Sequence, residues 1–116
     1  MKIKKSLLTS ILVSSLALGA LPAAAQMSAE ASLLYQEACS AEHQQDLKEA
    51  VSKLEQAAKI SGGDVMLYTK LAGLYTETDN TEKALETYKK VIELKPDDAF
   101  VYISIGSIYE TQGKYK

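Results

Sequence analysis

An all-α stack of helical hairpins is what this sequence predicts, on three grounds. Beyond residue 26 the apolar residues recur at helical spacing, with almost no alternating strand pattern. Proline stands only at positions 22 and 96, so long stretches are free to remain helical. The breakers and small residues are also periodic: Asp64 and Asp98 lie 34 residues apart, as do Ala38 and Ala72, Ala50 and Ala84, and Leu33 and Leu67. A period of that length marks stacked units that bury their apolar faces on one another.

Taken in order, the first element is a leader. Lys2, Lys4 and Lys5 form a basic start, Leu7 to Leu21 an apolar stretch, and Pro22-Ala23-Ala24-Ala25-Gln26 a small-residue cleavage site. The apolar stretch is shorter than the about 20 residues of a membrane span. We expect a signal peptide over 1–25, cut after Ala25, with a retained anchor as the alternative. Cys39 lies far from the cut, so lipoprotein anchoring is not indicated. A short linker over 26–30 should follow.

Helices of about 13 to 15 residues then alternate with turns at Gln45-Asp46, Ser61 to Asp64, Asp79-Asn80, Lys95 to Asp98, and Gly113. Asp46, Asp64, Asn80 and Asp98 are placed to N-cap the helices that follow. Shifting the chain by 34 sets Leu54 on Tyr88, Ala57 on Val91, Ile60 on Leu94, Tyr68 on Tyr102, Leu71 on Ile105, Leu74 on Ile108 and Tyr75 on Tyr109. Small residues recur where helices must approach, and large ones where they must fill.

At this point residues 65–98 resemble a tetratricopeptide repeat (TPR), through Tyr68, Leu71-Ala72, Tyr75, Ala84, Tyr88 and Pro96, and through the ending Val91-Ile-Glu-Leu-Lys-Pro-Asp-Asp98. Residues 31–64 fit through Ala50, Leu54 and Ala57, but Glu37 and Ala41 stand where the pattern has Leu and Tyr. Residues 99–116 match through Tyr102, Ile105-Gly106 and Tyr109. The resemblance implies a right-handed helical-hairpin solenoid of about two and a half repeats: 31–64, 65–98 and a partial 99–116. The first helix is polar through Gln36, Glu37, Ser40, Glu42, His43 and Gln44, whereas Ala99 to Tyr109 is apolar on nearly all sides. The expectation is a finished N-terminal end and an open C-terminal one. Further chain, a partner or a second copy would cover Phe100, Val101, Ile105 and Ile108 there.

Charge narrows the partners. With the leader removed, ten Lys face 15 Asp and Glu, a formal charge of −5, and there is no Arg. Such a surface repels phosphates and lacks their bidentate ligand, so nucleic acid is not expected. Nothing beyond the leader suggests a membrane surface. Cys39, the one cysteine, cannot form an internal disulfide and reads as a small packed hydrophobe. Cys39 and His43 stand four apart on one helix face, yet two ligands do not make a metal site, and no cofactor is expected. Serines and threonines lack a base other than that histidine, and Gly62-Gly63 has neither the Lys-Ser/Thr nor the strand of a phosphate loop. Enzymatic chemistry is not expected.

A surface remains. The resemblance implies that the first helices of successive units line a concave groove for a partner peptide or protein. By register these residues are Ser32, Tyr35, Cys39, Glu42 and His43 from unit one, and Met66, Thr69, Lys70, Gly73, Thr76 and Glu77 from unit two. Phe100, Ile103, Ser104, Ser107 and Glu110 come from unit three. Some members of the family clamp a C-terminal carboxylate with Lys, Asn and Arg. The matching positions here hold Tyr35, Cys39, Lys70, Phe100 and Ser104, so only Lys70 could meet a carboxylate and the clamp is absent. A partly apolar or basic segment is the expected ligand, met in a periplasmic or secreted setting.

Overall fold

The computed structural model describes residues 27–113. The leader, its cut at Ala25 and residues 114–116 lie outside the described residues.

Capping decides where each helix begins. Ser28 accepts from the Ala31 amide at 3.1 Å and opens α1 (Ala29–His43), so residues 29 and 30 are helical rather than linker. Asp46 accepts from Glu49 at 3.1 Å to open α2 (Leu47–Ile60), and Asp64 from Leu67 at 2.9 Å to open α3 (Val65–Glu77). Asn80 holds the N-cap position of α4 (Thr81–Leu94), but its side chain makes no capping bond. Asp98 accepts from Phe100 at 3.1 Å to open α5 (Ala99–Thr111).

The turns inside the hairpins share one geometry. Gln45 has φ 65° and Asp79 φ 60°, both left-handed, and Gly113 follows at the same register with φ 68°. Around the first, the Gln45 amide donates to Glu42 O at 2.9 Å and the Asp46 amide to Ala41 O at 2.9 Å. Around the second, Asp79 donates to Thr76 O at 3.2 Å and Asn80 to Tyr75 O at 2.8 Å. This paired bonding closes a helix C-terminus with a left-handed residue. The residue that completes it, Asp46 or Asn80, is also the next N-cap, which makes the αα turn very short.

α1 packs on α2 and α3 on α4 as hairpins, while α2–α3 and α4–α5 contacts stack them. Two hairpins and one further helix make the two and a half units of the solenoid. At the closest approaches stand Ala38, Ala50, Ala57, Ala72 and Ala84, all fully buried, as the repeat predicts. Between them Leu54, Leu67, Leu74, Val91 and Val101 fill the core, each Leu contributing about 2 kcal/mol of burial. Tyr75 bridges layers from α3, donating its hydroxyl to Glu55 Oε2 on α2 at 2.6 Å.

Some expected fillers stay exposed. Leu33, the register partner of buried Leu67, is 56% exposed, because no helix precedes α1 among the described residues. Ile60 and Leu94 end their helices half-exposed. On α5 the expectation of one open apolar face is corrected in detail: Val101 and Ile108 are buried with the core, and Ile105 is partly buried against it. Phe100, Tyr102 and Ile103 are the large apolar groups left exposed. No helix among the described residues is long and apolar enough to cross a membrane.

Candidate partner-binding groove

The residues expected to face a groove lie on α1, α3 and α5, and the two halves of that set differ chemically. Between α1 and α3 the side chains satisfy one another. Lys70 pairs with Glu42, and that hydrogen bond, more than the charge alone, raises the lysine's pKa against the opposing effect of burial. Tyr35 lies close enough to Cys39, Lys70 and Glu42 to feel their charges, although burial is the main reason its hydroxyl is harder to ionise. Lys70, the one group that could have met a carboxylate, is therefore already engaged.

Between α3 and α5 the surface opens into a cleft of about 400 Å³. Gly73 and Thr76 from α3 and Ile103, Ser104 and Ser107 from α5 line it, so five of the expected groove residues converge there. The space exists because the side chains are small: a Cβ built on Gly73 would meet nothing within 4 Å. The floor is Tyr88 and Ile108, and one end is formed by Asp79 and Thr81. The groove register includes none of these four, nor the lining residues Thr111 and Gln112, although Ile108 was among the apolar residues expected to need a cover. Asp79 is in the hairpin turn directly after Glu77, so extending the groove register two residues would have found it. Tyr88 and Thr81 belong to the second helix of the unit, which the register assigns to the back.

The remaining expected residues lie on the groove helices outside this cleft. Met66 and Phe100 are 57% and 60% exposed near the starts of α3 and α5. Thr69 is half-buried, its hydroxyl donating to Val65 O at 2.8 Å. Glu77 and His43 are exposed near the helix ends. Cys39 is free and half-buried, and among the described residues no three His, Cys, Asp or Glu side chains converge as a metal site.

A second cleft, of about 390 Å³, lies on the other side between α2 and α4. Tyr68 and Tyr75 floor it, with Lys90 and Lys83 each 5.6 Å from a ring centre. Glu55 accepts the Tyr75 hydroxyl and lies 3.9 Å from Lys83, so these two charges help hold the hairpins together.

Helical hairpins stacked at a 34-residue period define a tetratricopeptide-repeat array. Residues 73–113 match the family model described as TPR repeat. The chain is 30% identical over 90 residues to the Photosystem I assembly protein Ycf3 of Synechococcus sp. (strain CC9605), covering 75% of this chain and 52% of that protein. It is 30% identical over 88 residues to the protein of the same name in Prochlorococcus marinus (strain NATL1A), over 73% of this chain and 51% of the relative. The chain thus spans about half the length of these relatives. Among solved structures, MamA superimposes with a TM-score of 0.70 at 26% identity, over 82% of this chain and 53% of MamA.

Proposed function

We propose that this chain is a protein-interaction scaffold, without catalytic activity of its own, that receives a segment of a partner protein in the groove between α3 and α5. The observation that carries the proposal is the cleft itself, where Gly73, Ser104 and Ser107 leave room on the face that a TPR array turns toward its ligands. The similarity to proteins named for assembly supports a scaffold over an enzyme. The basic, apolar, small-residue order of the leader supports an exported protein acting in the cell envelope. N-terminal sequencing of the protein from an envelope fraction tests this second part. A chain starting at Gln26 agrees with it, and an intact Met1 in the cytosol overturns it.

The groove is tested by selecting peptides from a displayed library on the full chain, then measuring them against two variants. Thr69→Lys and Ser107→Trp both put bulk on the groove face and should leave the helical circular dichroism unchanged. Selected peptides should lose at least tenfold in affinity to Ser107→Trp. Peptides indifferent to both changes would place binding elsewhere. A second copy is the rival occupant, because Ile103 is exposed at the rim and Phe100 is exposed nearby on the same helix. A concentration-dependent mass in sedimentation that Ser107→Trp abolishes would make the groove a self-association surface.

A further inference from the structure

The open half of the groove has a chemistry of its own, which refines the proposal above and rests on it. Thr76 Oγ1 donates to Ala72 O at 3.0 Å, Ser104 Oγ to Phe100 O at 2.9 Å, and Thr111 Oγ1 to Ser107 O at 2.9 Å. These three line the cleft together with Thr81, Ser107, Tyr88 and Gln112, and each of the three has given its only proton to its own helix. What they turn to a ligand is lone pairs. Among the described residues the single charged one in the lining is Asp79, which takes part in none of the ion pairs found among them, unlike Lys70, Glu42, Lys53 and Glu37. The floor beneath these acceptors is apolar, Ile108 and the ring of Tyr88, with Ile103 exposed at the rim.

One anion and three proton-committed hydroxyls over an apolar floor suit a long side chain that is aliphatic along its stem and rich in donors at its tip. We infer that the cleft between α3 and α5 takes a lysine or arginine side chain of the partner, its stem against Ile103 and Ile108 and its cation at Asp79. An ammonium brings three donors and a guanidinium five, and neither brings an acceptor to compete. An acidic side chain would meet Asp79 without a counter-charge. An apolar one would cover the carboxylate and the hydroxyl lone pairs without satisfying them, which is the costly case. The backbone adds to the case: position 79 is left-handed, where Gly113 stands in the next unit, yet it carries a carboxylate facing the cleft.

The test uses short fluorescein-labelled Leu–Ser–Ala peptides that differ only at one central residue: Arg, Lys, norleucine or Glu. Fluorescence anisotropy with the full chain should rank Arg and Lys about tenfold tighter than norleucine, with Glu weakest, and the margin should shrink at high salt. Asp79→Asn keeps the size and the tolerance of a left-handed backbone, and should bring Arg and Lys down to the norleucine level. Glu93→Gln removes a charge from the exposed face of α4 and should change nothing. If norleucine binds as tightly as Arg and Ser107→Trp displaces both, the groove stands and the cation is wrong. A preference for Arg that survives Asp79→Asn also overturns the inference. If no peptide binds, or none responds to Ser107→Trp, the groove proposal falls with it.

Discussion

Gln45 and Asp79 show how one repeat position can serve two ends. Both sit in the left-handed region, where a side chain costs about 1 kcal/mol and glycine costs nothing. Gln45→Gly should therefore raise stability by about 0.5 kcal/mol, after the greater freedom of glycine in the unfolded chain is set against it. Gln45→Ala, which keeps the Cβ, should leave the urea midpoint in place. Asp79→Gly should also stabilise slightly, while removing the carboxylate from the cleft. A more stable variant that binds basic peptides poorly is the expected result. Tyr75 makes a different kind of prediction. Burial first, and then the bond to Glu55, push its hydroxyl above the ordinary value of 10.0. Its contribution is complete below pH 10 and is lost as pH rises through the folded value, because the unfolded chain gives up the proton first. Urea unfolding followed from pH 8 to 11 should show a falling midpoint above about pH 10. Tyr75→Phe should flatten that fall and cost about 1 kcal/mol at neutral pH.

At the level of elements, the hairpin was legible because its constraints are steric and local. Ala72 and Ala84 recur from Ala38 and Ala50 at one period, and all four are fully buried. Ala72→Glu or Ala84→Glu should unfold the array, since a carboxylate forced between packed helices costs several kcal/mol. Thermal melts by circular dichroism check this, and an unchanged melt for either variant would refute the packing. The caps were legible for the same reason, except at Asn80, where nothing in the structure accounts for the missing side-chain bond. Burial at the ends was not. Leu33 and Leu67 look equivalent in the sequence, but burial depends on which helices stand on either side, and a 34-residue shift does not encode that. The groove was half legible. Register found Gly73 and Thr76 on α3 and Ile103, Ser104 and Ser107 on α5, but not Tyr88 or Asp79, which reach the cleft from the helix behind and from the turn. Nor could it show that Lys70 is already paired, because Glu42 comes from the neighbouring unit.

Across the whole molecule, stability should fall off in a definite direction. In a solenoid each unit is held by its neighbours, so a helix with contacts on one side opens more easily than one gripped on both. α3 is gripped by α2 and α4 and buries Leu67, Leu71, Ala72, Leu74 and Tyr75. Among the described residues α5 packs chiefly on α4 and buries only Val101 and Ile108. Amide exchange at neutral pH should therefore be slowest in the middle of α3 and at least tenfold faster throughout α5, which opens by itself before the array unfolds. A Val101→Ala change should accelerate exchange across α5 and leave α3 almost untouched. Because Ile103, Ser104 and Ser107 ride on this weakly held helix, a ligand in the cleft must fix α5 against α3 in order to bind. The Arg peptide should consequently slow exchange in α5 by the factor its affinity and concentration set, and α3 much less. Equal protection of both helices would mean that α5 is already as firmly held as the core. The groove would then be a preformed slot, and its last wall would not be a flap that the partner closes.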